Sequence, residues 1–287
     1  LDERGPGRIV LQVLMPTTLS EACKLLADDS SVVPIAGGTD IMVHWPSKLN
    51  EQERTYLDLT GLPELNGIEW AEHELLLGAT TTYWQTISDR QVATEFPLLV
   101  DAARQVGAVQ IQSRGTWGGN IANASPAADG VPVLMAYDAS VELVSDGDLS
   151  ELIPLSAFYT GYKSMRLSPG QLIHRIRIPR RSYDLQFFEK VGARRAQAIT
   201  KVGLAVTRHG AQWRIVVNSA AATIKRCPSI ERLLDSKSII ASPGDLLPTI
   251  RQDLSPIDDI RSTGSYRLHT LSRVLYYTLR DHCDWIR

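Results

Sequence analysis

Ser113-Arg114-Gly115-Thr116-Trp117-Gly118-Gly119-Asn120-Ile121-Ala122-Asn123-Ala124-Ser125-Pro126-Ala127-Ala128-Asp129-Gly130 is the least ordinary stretch of the chain. A glycine pair, Gly118-Gly119, lies at its centre. Glycine lets backbone N–H groups approach a ligand closely and take positive φ. A helix start just after such a turn supplies free N–H donors and aligned dipoles, which suit a phosphate. From Ala122 to Gly130 the side chains are small, with polar Asn123, Ser125 and Asp129 interleaved. Small side chains admit a flat or extended ligand. Asn and Ser offer donors, and the Asp carboxylate can accept from sugar-type hydroxyls. A tightly packed loop and helix start accounts for the same residues without a ligand. Ser125 reads as a helix N-cap, with Pro126 in the first turn.

A second glycine pair lies upstream, in Ile35-Ala36-Gly37-Gly38-Thr39-Asp40. It follows a short buried-strand run, Val32–Ala36. Thr39 can donate its hydroxyl to the oxygens that the backbone amides would hold. Asp40 reads as a cap accepting N–H bonds, because a carboxylate repels a phosphate. Each pair by itself is equally a plain strand-to-helix turn. Two such loops together can clasp a diphosphate.

Other nucleotide and catalytic patterns are absent. No GxGxxG follows a strand, which disfavours a Rossmann dinucleotide fold. There is no GxxxxGK[ST] and no GxSxG nucleophile elbow. Ser125 has no His near it in the chain, so serine hydrolase chemistry has no support, and no catalytic acid–base residues are assigned. Trp117 and Tyr162 can stack on a ring or fill core. Lys190, after Phe187-Phe188, can neutralise a phosphate or stay in solvent.

Composition narrows the class. The chain has 287 residues, 44% hydrophobic and 22% charged, with a formal net charge of −2. That is ordinary for a globular protein and long enough for two domains. No Lys/Arg run is longer than two residues, as in Arg180-Arg181 and Arg194-Arg195, so nucleic acid is not the expected partner. Cys23, Cys227 and Cys283 are far apart, with no CxxC pair, so this chain offers no ligand set for zinc or an iron–sulfur cluster. No bound metal is expected. A disulfide framework is not expected, and reduced thiols fit a cytoplasmic setting. No apolar run approaches the roughly 20 residues of a membrane helix, and nothing here resembles a signal peptide.

The coarse element reading opens with a strand at Ile9–Leu14. A helix capped by Ser20 follows, with Ala22, Leu25 and Leu26 on its apolar face. A short helix within Ile41–Leu49, limited by Pro46, and a strand at Tyr56–Leu59 complete a β-α-β-α unit. Further strands are expected at Leu75–Leu77, Val141–Ser145 and Gln171–Ile178, and helices at Tyr83–Ile87 and Pro97–Val106. Pro179-Arg180-Arg181-Ser182 reads as a boundary. Beyond it, Gln186–Val191, Val202–Thr207 and Trp213–Ser219 read as strands. Tyr266–Cys283 reads as a helix on Leu268, Leu271, Leu275 and Leu279.

The two glycine stretches, taken together, closely resemble the FAD-binding medium subunit of the xanthine dehydrogenase and carbon monoxide dehydrogenase family of molybdenum hydroxylases. Further stretches resemble the family in the same order: Gly78-Ala79-Thr80-Thr81-Thr82, Pro169-Gly170-Gln171-Leu172-Ile173, Phe188-Glu189-Lys190 through Ala196-Gln197-Ala198-Ile199, and Ser265-Tyr266-Arg267. One departure is Trp117, where the family usually has Ile or Val; the indole is expected to fill core.

The resemblance implies an α+β protein with a vanillyl-alcohol-oxidase-type (PCMH-type) FAD-binding fold. Its FAD-binding domain would span 1–179, in two α/β subdomains of about 1–58 and 59–179. A C-terminal α+β domain would span 180–287. It implies cofactor-binding positions at Ile35, Ala36, Gly37, Gly38, Thr39, Asp40, Thr116, Trp117, Gly118, Gly119, Asn120, Ser125, Asp129, Leu172 and Lys190. It also implies a heterotrimer. A large subunit would carry molybdopterin and a small one two [2Fe–2S] clusters. This chain would pass electrons through FAD to a final acceptor. A self-sufficient flavin oxidase or reductase, and a structural subunit that bridges partners without cofactor, are the competing readings.

Overall fold

The computed structural model describes residues 12–44, 54–146 and 148–287. The first strand, expected from Ile9, is seen as β1 (Gln12–Leu14); Ile9–Leu11 lie outside the described residues, as do positions 45–49 of the expected short helix.

The opening unit runs β1, α1 (Leu19–Asp28), β2 (Val33–Ile35), a 3-10 turn (Ile41–His44) and β3 (Thr55–Asp58). Its sheet is parallel, in the order β1-β3-β2. Thr18, not Ser20, caps α1: its hydroxyl accepts from the Glu21 amide at 3.2 Å, while the Glu21 carboxylate accepts from the Thr17 amide at 2.7 Å. Leu19, Ala22, Cys23 and Leu26 of α1 are buried against Leu57, Leu62, Leu65, Val144 and Leu172. The small unit therefore shares its core with the next sheet.

That sheet is antiparallel, in the order β4 (Ile68–Trp70), β5 (Glu74–Gly78), β10 (Gln171–Pro179), β6 (Ser140–Ser145), β7 (Asp148–Pro154). Between β5 and β6 come α2 (Tyr83–Ser88), α3 (Arg90–Glu95), α4 (Pro97–Gln105), α5 (Val109–Gln112), α6 (Trp117–Ala122) and α7 (Gly130–Ala136). A hairpin of β8 (Tyr159–Gly161) and β9 (Ser164–Met165) precedes β10. The register of β10 shifts between Ile173 and Arg175, so His174 sits in a bulge. The His174 carbonyl accepts from the Ala79 amide at 2.9 Å, and the Ala79 carbonyl from the Gly118 amide at 2.9 Å. The bulge thus fixes the height of the second glycine loop.

The C-terminal sheet is antiparallel: β11 (Leu185–Val191), β12 (Val202–His209), β13 (Gln212–Asn218), β14 (Lys225–Arg226). α8 (Pro228–Asp235), α9 (Leu247–Asp253) and α10 (Gly264–Arg280) complete it, and Leu271, Leu275 and Leu279 of α10 are buried in its core. Phe188, Ala205 and Val216 of this sheet join the core of the α2–α7 region instead. The chain is α+β, in agreement with the fold class read from the sequence.

A charged knot lies on β5, β6 and β10. Buried Glu142 accepts from Arg175 Nε at 2.9 Å and Arg177 Nη1 at 3.4 Å, with His174 Nδ1 at 2.9 Å. Burial is the largest influence on its carboxyl and pushes it up, but the hydrogen bonds and charges of Arg175 and His174 outweigh it and hold it below its ordinary value. A carboxyl lowered on folding contributes stability above its unfolded pKa and loses it as pH falls through the folded one. Glu142→Gln is therefore expected to flatten the loss of stability below about pH 4.5, near the unfolded carboxyl range. Urea midpoints measured against pH check this; parallel acid limbs in the two proteins would refute it.

Candidate functional site

Two loops that are distant in sequence meet backbone to backbone. A Cβ added at Gly37 would lie 1.8 Å from the Arg114 carbonyl oxygen and 2.5 Å from its carbon. Nothing but hydrogen fits there, so this glycine makes the junction itself. Gly38 follows with φ +70°, a left-handed turn that glycine takes without strain. The amides of Gly37, Gly38, Thr39 and Asp40 donate to no described residue. Among the described residues, these are four successive backbone donors without a protein acceptor, the kind of group that can serve an anion.

The second loop is different. Thr116 caps α6, its hydroxyl accepting from the Gly119 amide at 3.0 Å. The Trp117 amide donates to the Thr81 carbonyl at 3.1 Å, that of Gly118 to Ala79 at 2.9 Å, and that of Asn120 to Thr116 at 3.0 Å. The free donors that the sequence places at this helix start are thus satisfied internally, by the Gly78–Thr82 turn and by the cap. Gly118 is needed for packing, since a Cβ would lie 2.5 Å from the Ala79 oxygen. Gly119 is exposed, and its missing Cβ would meet only the Thr116 hydroxyl, at 2.8 Å. Asn120 Oδ1 is buried without a hydrogen-bond partner. That oxygen lies close to Gly130, where an added Cβ would stand 2.9 Å from it.

Asp40 does not cap with its carboxylate. Instead Oδ1 accepts from Asn123 Nδ2 at 2.8 Å, and Asn123 in turn accepts from Lys163 Nζ at 2.7 Å on its carbonyl and 2.5 Å on Oδ1. Lys163 stands in the β8–β9 turn beside Tyr162, which is exposed. The bridge ties the first glycine loop to the end of α6.

Trp117 fills core. It is fully buried, donates from Nε1 to Thr86 Oγ1 at 2.7 Å and meets Tyr83 edge-on with centroids 5.0 Å apart. Gly130 makes the room, since a Cβ there would lie 2.9 Å from the indole. Leu172, in β10 opposite Val144, packs under α1, and Ile35 and Ala36 carry the chain from β2 into the first loop.

The helix expected at Ser125 begins only at Gly130. Ser125 Oγ accepts from the Ala127 amide at 3.3 Å and its carbonyl from the Ala128 amide at 3.1 Å, closing one isolated turn. Two carbonyls that would have propagated a helix are taken by the C-terminal sheet: Pro126 O accepts from the Ser219 amide at 2.7 Å and Ala128 O from Asn218 Nδ2 at 2.8 Å.

Asp129 points the same way. Its carboxylate accepts from Lys190 Nζ at 2.7 Å, Thr200 Oγ1 at 2.5 Å and Asn218 Nδ2 at 3.5 Å, and Lys190 also donates to the Gln105 carbonyl at 2.8 Å. Burial pushes the Asp129 carboxyl up, and Lys190, Thr200 and Asn218 pull it back only in part. Asp129 and Lys190, both expected at the cofactor, are brought together, but as partners of each other. Sequence reasoning missed Thr200, Asn218, Ser219 and Lys163. Each acts on a residue far away in the chain, so no local spacing announces it.

Known proteins resemble this chain over most of its length. Residues 9–181 match the family described as the FAD binding domain in molybdopterin dehydrogenase. The chain is 29% identical to the xanthine dehydrogenase FAD-binding subunit of Escherichia coli O157:H7, covering 88% of this chain and 89% of that protein. It is 28% identical to the caffeine dehydrogenase subunit beta of Pseudomonas sp. strain CBB1, covering 95% of each. Its fold matches a chain of the carbon monoxide dehydrogenase of Hydrogenophaga pseudoflava with TM-score 0.82 at 23% identity, covering 94% of this chain and 96% of that one. No helix among the described residues is long and apolar enough to cross a membrane.

Proposed function

The chain belongs to the family of FAD-binding domains of molybdopterin dehydrogenases, and from that premise we propose that it is the FAD-carrying, electron-transferring medium subunit of a heterotrimeric molybdenum hydroxylase. Its partners are a large molybdopterin-binding subunit, where substrate is oxidised, and a small subunit with two [2Fe–2S] clusters. The observation that carries the reading is the junction of the two glycine loops, where Gly37 meets Arg114 backbone to backbone and four successive amides have no acceptor among the described residues.

When bound, FAD accepts electrons singly and releases them as a pair. The chain's own residues bind and orient it. We assign the Gly37–Asp40 amides and the Thr39 hydroxyl to its diphosphate, and Thr116, Gly119, Asn120 and Ser125 to the adjoining wall. Ile35, Ala36, Trp117, Gly118 and Leu172 shape that wall from beneath, and Asp129 with Lys190 braces it. The division into 1–179, with subdomains near 1–58 and 59–179, and 180–287 is supported by the three larger sheets, each of which falls within one of these ranges. Three cysteines that are buried, far apart in sequence and without a CxxC pair support a cytoplasmic setting.

A visible spectrum of the purified chain, before and after denaturation, with the released cofactor weighed, tests the reading. Released FAD is the expected result. A colourless chain that also fails to take up added FAD would overturn it and leave a bridging subunit.

A further inference from the structure

Ser265-Tyr266-Arg267 is singled out in the sequence, yet nothing in the site described above uses it. Arg267 lies in the first turns of α10 and is 4% exposed. Nη1 donates to the Ser219 carbonyl at 2.6 Å, Nη2 donates to Asp259 Oδ1 at 2.6 Å, and Nε is buried with no partner. Burying a guanidinium is costly unless it is held by charge-assisted bonds, so this one has a specific task.

The task is visible at Ser219. This residue has φ +60°, a conformation disfavoured for a side chain other than glycine, and is buried. Its hydroxyl donates to the Thr200 carbonyl at 3.0 Å and its amide to the Pro126 carbonyl at 2.7 Å. Asn218 beside it donates to the Ala128 carbonyl and to Asp129. The Ser125–Asp129 turn therefore hangs on two consecutive residues at the end of β13. The second of them is strained and is held by Arg267. Asp259 anchors the other side of the guanidinium and is itself fixed by the Arg261 and Ser262 amides at 2.9 and 3.1 Å.

We propose that Arg267 is a positioning residue for the cofactor turn: by holding the Ser219 carbonyl against Asp259, it lets the last helix set where Ser125–Asp129 stands beside the flavin nucleotide. This rests on the assignment of that turn to the cofactor wall. Arg267 touches no cofactor-facing atom of the loops and acts through Ser219 alone.

The test uses the full chain loaded with FAD. Arg267→Met keeps the length of the side chain and removes both bonds. It is expected to raise the FAD dissociation constant about tenfold or more, the scale of losing hydrogen bonds to a charged group. It is also expected to alter the visible circular dichroism of the bound flavin, which a mere loss of stability would leave alone. Arg267→Lys can reach only one of the two partners, and its dissociation constant should fall between wild type and Arg267→Met. If Arg267→Met does not fold, Arg267→Lys decides. Variants that melt earlier but keep the wild-type dissociation constant and flavin dichroism would make Arg267 a structural brace and overturn the proposal. A wild-type chain that binds no FAD would sink the site assignment itself, a separate outcome.

Discussion

Gly37→Ala is expected to abolish FAD retention. The added methyl carbon would stand 1.8 Å from the Arg114 carbonyl oxygen and 3.1 Å from the Gly115 nitrogen. Both neighbours are backbone, so no side chain can swing aside. The loops must part by more than an ångström, which carries the Gly37–Asp40 amides of the first loop away from Arg114 and the loop that follows it. Overpacking of this kind costs about 1–3 kcal/mol where side chains yield, and more where only backbone can move. Gly119→Ala is the control: its methyl meets one hydroxyl at 2.8 Å on an exposed surface. That methyl asks only the Thr116 hydroxyl to shift, so the variant should fold and lose less FAD than Gly37→Ala. Fluorescence of flavin released on ultrafiltration, with thermal melting of each apo chain, measures both effects. A Gly37→Ala chain that keeps its FAD would show that the junction does not hold the cofactor.

The contrast between the two glycine pairs marks how far the sequence could be read. Both pairs are legible as places where backbone must come close to something. Which partner it is cannot be read locally. For Gly118 it is Ala79 and for Gly37 it is Arg114, each brought there by a β-turn or loop from another part of the chain. The strands of the second sheet are legible because buried runs such as Val141–Val144 alternate with turn residues. β4 and β8 to β9 are not, being two or three residues long and without a period. The cap on α1 is misread because Ser20, which donates instead to Asp146 at 3.0 Å, sits only two positions from Thr18.

The misplaced start of α7 has a different cause. Ser125-Pro126 has the local chemistry of a helix start, and one turn does form. Propagation needs the Pro126 and Ala128 carbonyls, and Ser219 and Asn218 take them from a strand about 90 positions downstream. Tertiary hydrogen bonds override local propensity there. The same override makes Asp129 look like a free ligand in the sequence when the fold has already given it three partners.

That use of Asp129 leads to the second large effect. Asp129→Asn is expected to destabilise the chain by about 3–5 kcal/mol, because it leaves the Lys190 ammonium buried and unpaired. The side chains of Lys190 and Asp129 are only 7% and 11% exposed, so water cannot replace the lost charge. Asp129→Asn combined with Lys190→Met removes both charges at similar volume and should recover much of the loss. Urea unfolding of the single and double variants measures the coupling. FAD retention by the double variant then separates two roles. If the carboxylate itself holds the cofactor, stability returns but retention does not. If the pair only braces the Ser125–Asp129 turn against β11, both return together. The second result is expected, because Lys190, Thr200 and Asn218 already engage both carboxylate oxygens. A single variant that loses less than about 1 kcal/mol, the scale of an exposed ion pair, would contradict the buried brace altogether.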